Sequence, residues 1–137
     1  MAENLLKLEV VTPDHQALSV DVSSVVVTTP EGEIGFLANH IPLIAGLVPQ
    51  IVRYKDEAGK EDHIFVAGGF VEVSNNRVII LSPAAEKADE IDFERARRAE
   101  ERARERLMNG KDSEIDVARA EVALRRAVER LKMQHYM

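Results

Sequence analysis

Arginine side chains crowd the last third of the chain, and their spacing could gather several of them around phosphate. Ten of the twelve basic residues after position 90 are Arg. The planar guanidinium donates two parallel hydrogen bonds to phosphate or carboxylate oxygens. If this region folds as two antiparallel helices, Arg95 lies level with Arg130, and Arg102 lies further along the first helix. Arg126 precedes Arg130 by one turn and shares its face. The pattern indicates guanidiniums converging at the open end of a hairpin.

Carboxylates accompany these arginines and leave two interpretations open. Ten acidic residues nearly balance the twelve basic ones after position 90. In the first interpretation the charges form a solvated face of pairs within each helix. The candidate pairs are Glu94–Arg98, Glu100–Arg104, Glu121–Arg125 and Arg126–Glu129. In the second, the arginines hold phosphates while Glu86 and Asp92 receive a ribose or an adenine edge, although Asp92 is equally placed to cap a helix.

The helices that would carry these residues are visible as an internal repeat. The run Glu90–Ala96 is echoed at Glu114–Ala120, 24 positions later. Extended over 18 positions, the two copies are identical at 11. Between them stands Asn109-Gly110, a strong stop for a helix. The repeat predicts two helices of similar length joined by a short loop, and therefore an antiparallel hairpin.

Each copy begins with an aspartate at a plausible N-cap. Asp92 and Asp116 can accept hydrogen bonds from the unpaired N–H groups of a first helical turn. The helices are predicted at about 91–109 and 115–133, within a C-terminal domain that spans residues 87–137.

The face between the two helices is predicted to be rich in alanine. Its inward positions are Phe93, Ala96, Ala99, Ala103 and Leu107 on the first helix, and Val117, Ala120, Leu124, Ala127 and Leu131 on the second. At about 25 cal/mol per Å² of buried apolar surface, alanine stabilises such a seam far less than leucine does. We expect a hairpin that forms readily but is weakly held and weakly docked, so that a ligand or partner could switch its position.

Residues 1–86 are predicted to form a β domain. Apolar and polar residues alternate from Leu6 to Val10 and in several later segments, which polar turns separate. Many short strands at close spacing indicate an antiparallel β-sandwich or flattened barrel. Gly68-Gly69 is interpreted as a bulge where two backbones pack closely, since no helix follows it to make a phosphate loop. The fold class is α+β: an N-terminal β-sandwich followed by a C-terminal helical hairpin.

Charge and composition exclude several classes of function. Residues 1–90 carry a net charge of −8 and residues 91–137 a net charge of +2. No uncompensated basic face exists, which argues against nucleic acid as a partner. The absence of cysteine excludes disulfides and thiolate metal sites. No apolar run approaches the roughly 20 residues needed to span a bilayer, so direct bilayer insertion is not expected. No motif for nucleophilic or phosphate-loop catalysis is present, and no metal site is assigned.

The stretch Gly32–Leu43 combines apolar residues with two glycines and a proline. Its apolar members, expected to be exposed, are Ile34, Phe36, Leu37, Ile41 and Leu43. One account is a bulged strand with a buried loop. The other is a protruding apolar lip that docks on another subunit. His40 alone is interpreted as a structural histidine.

Three motifs in order complete the pattern: Gly32-Glu33-Ile34-Gly35 running to His40-Ile41-Pro42-Leu43, then Gly68-Gly69-Phe70-Val71-Glu72-Val73, then Ile91-Asp92-Phe93-Glu94-Arg95-Ala96. Together they resemble the epsilon subunit of bacterial F-type ATP synthase, over nearly the whole chain. The resemblance implies a non-catalytic subunit of the rotating central stalk, peripheral to the cytoplasmic side of the bacterial cell membrane. It implies a sandwich that binds the gamma subunit and the c-ring. The residues assigned to partner binding are Glu33, Phe36, Leu37, His40, Ile41 and Leu43.

The resemblance also implies a mobile hairpin. In this family the hairpin folds down on the sandwich or extends into the catalytic head, where it meets the alpha and beta subunits and inhibits ATP hydrolysis. In some bacterial members the folded-down hairpin binds ATP through the motif Ile-Asp-x-x-Arg-Ala. Ile91, Asp92, Arg95 and Ala96 match that motif in full.

By the same resemblance, Glu86 and Asp92 are expected near the adenosine. The residues expected near the phosphates are Arg95, Arg102, Arg126 and Arg130. ATP is thus implied as a regulatory ligand, with or without Mg²⁺, and no catalytic cofactor is expected. Two alternatives stay open: a stalk subunit that inhibits without sensing nucleotide, and a free-standing nucleotide-binding signal protein.

Overall fold

Alternating apolar residues fold the first part of the chain into strands. In the first strand Leu6, Leu8 and Val10 are buried while Lys7 is exposed, the period of two that a half-buried strand requires. The computed structural model describes residues 4–109 and 114–137. Its strands are β1 Leu6–Val11, β2 Gln16–Val22, β3 Ser24–Thr29, β4 Gly32–Leu37, β5 Leu43–Lys55, β6 Glu61–Ser74, β7 Arg77–Leu81 and β8 Ala85–Glu86.

The strands form one hydrogen-bonded sheet that folds over a common core. The order is β2-β1-β7-β6-β5-β3-β4, and β8 pairs with β6. Among the described residues every pairing is antiparallel except that of β1 with β7, which run parallel from Lys7 beside Arg77 to Val11 beside Leu81. No tight hairpin joins β1 to β7, so their direction is not constrained to be antiparallel. The predicted sandwich is confirmed, with this one parallel pairing in addition.

Strands β5 and β6 form a long ribbon shared by both layers of the sandwich. β3 pairs with the end of β5 at Ser24–Val26, whereas β7 pairs with the end of β6 at Phe70–Ser74. The neighbours therefore join opposite ends of the ribbon, and the core closes between them. Strand β6 runs through Gly68-Gly69 without ending.

The glycine pair allows a close approach of two backbones. Gly68 and Gly69 have φ angles of +101° and +105°, in a region that favours glycine. A Cβ on Gly69 would lie 1.9 Å from the carbonyl oxygen of Leu81. The predicted close packing at this pair is confirmed.

The centre of β6 is buried on both faces. Ile64 and Val66 point into the sandwich core. Phe65 and Ala67 point to the opposite side, where they belong to a second cluster with Met133 from the end of the chain. Because side chains alternate along a strand, this outer face is available as a floor for the helices.

The C-terminal part is a two-helix hairpin. Helix α1 spans Phe93–Asn109 and helix α2 spans Glu114–Lys132. The linker turn, Ala88–Glu90, precedes α1, and the C-terminal turn, Met133–Tyr136, follows α2; both are 3₁₀ turns. Four alanines of the predicted seam are fully covered, namely Ala96, Ala103, Ala120 and Ala127. The Gly110 of the predicted helix stop lies outside the described residues.

One of the two predicted N-caps is confirmed and the other is wrong. The backbone N–H of Arg95 donates to Oδ1 of Asp92 over 3.1 Å, so Asp92 caps α1, which begins at the next residue. Helix α2 begins at Glu114, two residues before Asp116. The acidic side chain of Asp116 therefore stands inside the first turn, where the helix dipole also favours negative charge.

The hairpin lies against the sandwich through α2 and the C-terminal turn. The Nε of Arg125 donates to the carbonyl oxygen of Pro49 in β5 over 2.9 Å. Met133 is fully buried beside Phe65. The ring of Tyr136 stacks on that of His63, with centroids 3.5 Å apart. The described part of the chain is therefore in the compact arrangement, held by a small apolar cluster and a few directional contacts.

Candidate functional site

A cavity of about 420 Å³ opens where the sandwich, the start of α1 and the end of α2 meet. It is lined by Glu86, Glu90, Asp92, Arg95, Ala96, Ala99, Arg102 and Arg130. Its volume falls within the range of about 300–1,000 Å³ that is usual for small-molecule sites. Six of the eight residues predicted for ATP binding line it, and Ile91 and Arg126 do not. Whether the six bind ATP stays a prediction.

Arg130 connects α2 to the sandwich at the edge of this cavity. Its Nε donates to Oε1 of Glu86 over 2.6 Å. Its guanidinium carbon lies 4.6 Å from the centroid of the Phe65 ring. Both charged side chains are about three-quarters buried, so solvent screens their attraction less than it would at the open surface. The docked position of α2 therefore determines where this arginine stands.

The motif around Asp92 has a local structural explanation. Asp92 ends the linker segment and caps α1. Ala96, four residues later, is a buried residue of α1 that also lines the cavity. Arg95 lies between them on an exposed face and lines the cavity. Because the cap fixes the first turn, Asp92 and Arg95 face the same cavity from a rigid helix end.

The cavity carries charges of both signs. Arg95, Arg102 and Arg130 supply guanidinium groups that donate to phosphate oxygens. Glu90 and Asp92 supply carboxylates that accept from hydroxyl or amino groups. The arrangement suits a ligand that has a phosphate chain at one end and a hydroxylated or amino-bearing group at the other.

Glu90 was not among the predicted site residues. It ends the linker turn, where its Oε1 accepts a hydrogen bond of 2.8 Å from the backbone N–H of Lys87. An acidic residue three positions after the start of a turn is a capping pattern, so the sequence contained a signal for its orientation. Its exposure to the cavity depends on how the turn docks.

Ile91 and Arg126 occupy other places. Ile91 is buried in the apolar cluster with Phe65 and Met133. Arg126 is exposed and lies outside the lining. Ala127 faces the seam. At about 100° per residue, Arg126 lies roughly 40° further around the helix from Ala127 than Arg130 does. The structure thus brings three arginines together, where the sequence indicated four or five.

The intrahelical charge pairs only partly follow the predicted pattern. Arg104 pairs with Glu100 at 3.1 Å, as predicted. Glu94 pairs with Arg97 instead of Arg98. Arg125 donates to Pro49, and Glu129 pairs with Lys132 at 2.9 Å.

Family comparisons agree with this architecture. Residues 5–88 match the model of the ATP synthase Delta/Epsilon chain beta-sandwich domain, and residues 89–133 match that of its long alpha-helix domain. The ATP synthase epsilon chain of Halalkalibacterium halodurans is 50% identical over 126 residues, which covers 92% of this chain and 94% of the relative. That of Nitratidesulfovibrio vulgaris is 46% identical over 132 residues, covering 96% and 97%. The chain belongs to the bacterial ATP synthase epsilon family.

Chains of solved ATP synthase assemblies share this fold. A chain of the Euglena gracilis mitochondrial ATP synthase, described as OSCP/F1/c-ring, matches with a TM-score of 0.78 and 28% identity, covering 97% of this chain and 82% of the other. A Tetrahymena thermophila central stalk and c-ring chain matches with a TM-score of 0.60 and 16% identity, covering 96% of each chain, which supports the fold alone. An epsilon chain is a non-catalytic subunit of the central stalk, so the predicted family, fold class and non-enzymatic role are confirmed.

The partner-binding stretch of this epsilon chain is only partly exposed. Leu37 and Ile41 are 63% and 75% exposed. Phe36 is fully buried in the sandwich core, so the expectation that it is exposed is wrong. The side chains of β4 alternate between the two faces of the sheet, and Phe36, the second-last residue of the strand, points inward. A partner role for Phe36 would therefore have to be indirect.

His40, Glu33 and Leu43 complete that stretch. The His40 ring meets the Phe36 ring edge-on at 5.0 Å, and its Nδ1 lies 2.7 Å from the carbonyl oxygen of Ile41. This supports its interpretation as a structural histidine. Glu33 pairs with Arg53 at 3.1 Å, and Leu43 is half-buried. Partner binding by these residues stays a prediction.

A second exposed apolar surface was not predicted. Phe70 and Leu81 are paired across β6 and β7 and are 62% and 53% exposed. Ile44 on β5 is also exposed. Contiguous exposed apolar side chains are unusual on a monomer and mark interaction sites. The alternation of side chains along β6 could have predicted this surface. Because Val71 and Val73 point into the core, Phe70 must point outward.

In residues 4–109 and 114–137 these surfaces are accompanied neither by a membrane-spanning helix nor by a metal cluster. Neither helix combines the length and the apolar character needed to cross a bilayer. No three acidic or histidine side chains there are placed to share a metal ion.

Proposed function

We propose that this epsilon subunit senses ATP through its hairpin and inhibits ATP hydrolysis when the hairpin leaves the sandwich. The single observation that carries this proposal is the composition of the cavity. Glu86 comes from the sandwich, Arg95 and Arg102 come from α1, and Arg130 comes from α2. A ligand that contacts all three elements binds the compact arrangement and has no equivalent site once they separate.

The energy available from ATP is sufficient for such a switch. A ligand that binds only the compact state stabilises it by RT ln(1 + [ATP]/Kd), about 2.7 kcal/mol at a hundredfold excess over Kd. The contact that holds the hairpin in place without ATP is small, because the fully covered residues of the seam are alanines and the docking cluster has four buried members. Each factor of ten in the population costs about 1.4 kcal/mol. A hundredfold excess of ATP over Kd would therefore change the ratio of docked to released hairpin by more than tenfold.

The extended hairpin would present its arginines to acidic surfaces of the alpha and beta subunits. The sandwich would hold the subunit on the gamma subunit and the c-ring, on the cytoplasmic side of the bacterial cell membrane. Its exposed residues Leu37 and Ile41 form one candidate surface, and Phe70 and Leu81 form another. Co-purification with the gamma subunit tests them: Phe70→Asp and Leu37→Asp should each weaken the complex only if that surface is used.

A second function is favoured by one observation. Arg130 is paired with Glu86 and covered by Phe65 through contacts within the chain itself. This would suit a purely mechanical subunit, whose hairpin inhibits without sensing nucleotide.

Calorimetric titration of the full chain with ATP, with and without Mg²⁺, separates the two functions. Sensing predicts saturable heat and slower hydrogen exchange in α2 as ATP is added. Absence of heat at millimolar ATP, with unchanged exchange, favours the mechanical role.

A further inference from the structure

Phe65 occupies an unusual position for a fully buried aromatic residue. It lies in the centre of β6, yet it points away from the sandwich core and towards the hairpin. Its neighbours there include Ile91 and Met133. The residue therefore belongs to the interface between the two parts of the chain.

The guanidinium of Arg130 lies over the face of the Phe65 ring. The guanidinium carbon is 4.6 Å from the ring centroid, within the distance at which a cation is attracted to an aromatic face. This attraction needs no hydrogen-bond acceptor on the ring, so it adds to the hydrogen bonds that the guanidinium makes with oxygen atoms. The ring therefore helps to orient Arg130.

The same arginine also lines the cavity. Its Nε–H is used by Glu86, and the terminal nitrogens carry the remaining donors. Arg130 lines the cavity together with Arg95 and Arg102. Two contacts within the chain, with the Phe65 ring and with the Glu86 carboxylate, thus hold a flexible side chain in one orientation.

We infer that Phe65 is a positioning residue for the ATP site, so that strand β6 of the sandwich forms part of the nucleotide-binding machinery. This inference rests on the proposed function. Ordering a long side chain costs conformational entropy on binding, and a prearranged arginine avoids that cost. Removing the ring should therefore weaken ATP binding even where packing is preserved.

The test compares Phe65→Leu with Phe36→Leu in the full chain. Both substitutions remove a fully buried aromatic ring, but Phe36 lies in the sandwich core. Both should lower thermal stability, whereas only Phe65→Leu should weaken ATP binding in calorimetry, by roughly 3- to 30-fold. Phe65→Tyr, which keeps the aromatic face, should restore affinity. Phe65→Met, similar in volume, replaces Phe65→Leu if the latter does not fold.

A double variant assigns the effect to the contact with Arg130. In an Arg130→Gln background, Phe65→Leu should produce no further loss of ATP affinity, because the cation is already gone. Equal ATP affinity of the wild type and Phe65→Leu would overturn the inference and leave ATP sensing intact. An equal loss in the Arg130→Gln background would also overturn it. If the wild type itself binds no ATP, the proposed function fails and the inference fails with it.

Discussion

The carboxylate of Glu86 accepts a hydrogen bond of 2.6 Å from Nε of Arg130, across the junction between the sandwich and α2. Glu86 is the last residue of β8, and Arg130 stands in the last turn of the hairpin's second helix. One ion pair thus links the two parts of the epsilon chain at the edge of the cavity. Because this pair joins the two parts, mutating it measures how strongly the hairpin is held on the sandwich.

A double-mutant cycle of Glu86→Gln and Arg130→Gln should give a coupling free energy of about 1 kcal/mol, since the pair is largely buried. The pair Glu33 and Arg53 on the sandwich is more exposed and serves as the control, with an expected coupling of about 0.2–0.5 kcal/mol. Urea unfolding at low and high salt measures both. Equal couplings for the two pairs would contradict a special role for the junction.

Arg102→Ala should weaken ATP binding by about tenfold or more, because it removes a charge-assisted donor from the cavity. Arg126→Ala is the matched control, because Arg126 is exposed and lies outside the lining; its ATP affinity should stay within about twofold of wild type. Calorimetric titration measures both. The reverse order of effects would show that the ligand contacts the exposed face of α2 that carries Arg126, and not the cavity.

Gly69→Ala should destabilise the sandwich by about 3 kcal/mol or more, because the new Cβ would collide with the Leu81 backbone at a positive φ. Gly46→Ala, where an added Cβ meets no atom within 4 Å, should change the free energy of unfolding by less than about 1 kcal/mol. Thermal and urea unfolding compare them. Similar stabilities would mean that β7 shifts to accommodate the methyl group.

Tyr136→Ala should loosen the C-terminal turn, because it removes the ring stacked on His63. A stacked aromatic pair contributes about 0.5–1.5 kcal/mol. Hydrogen exchange at the end of α2 should become faster, while exchange in the sandwich core stays unchanged. Gln134→Ala, in the same turn and exposed, is the control. Unchanged exchange in Tyr136→Ala would show that Met133 alone anchors the turn.

The phenol of Tyr54 should ionise only at strongly alkaline pH. Burial raises its pKa above the usual value of 10.0, and the nearby Asp62 carboxylate raises it further. Above pH 10 the folded state therefore keeps a proton that the unfolded state loses. The contribution of Tyr54 to the free energy of unfolding is complete below pH 10, and stability falls as the pH rises above that value. Tyr54→Phe should remove this loss. Alkaline unfolding curves and tyrosinate absorbance test it.

Local periodicity made much of this architecture predictable. The repeated Glu-Ile-Asp run, the Asn-Gly stop and the alanine seam depend on helical spacing, which translates sequence distance directly into position on a face. Helix geometry by itself therefore predicts that Arg95 lies beside Arg130. Asp116 was wrongly predicted as a cap because α2 begins two residues earlier, at Glu114.

Contacts between distant segments were not predictable in the same way. The sequence pattern treats Phe36 as part of an exposed lip, but the direction of β4 turns its ring into the core. The parallel pairing of β1 with β7 depends on the path of the whole sheet.

The sequence alone determined the β-sandwich, the helical hairpin and the supply of arginines, because each depends on residue types at a regular local spacing. Only the tertiary structure decided that Arg130, and not Arg126, reaches the cavity. It also decided that Glu86 and Phe65 hold Arg130 there. The physical reason is that these contacts arise when α2 docks on the outer face of β6, and no periodicity within either element specifies that docking.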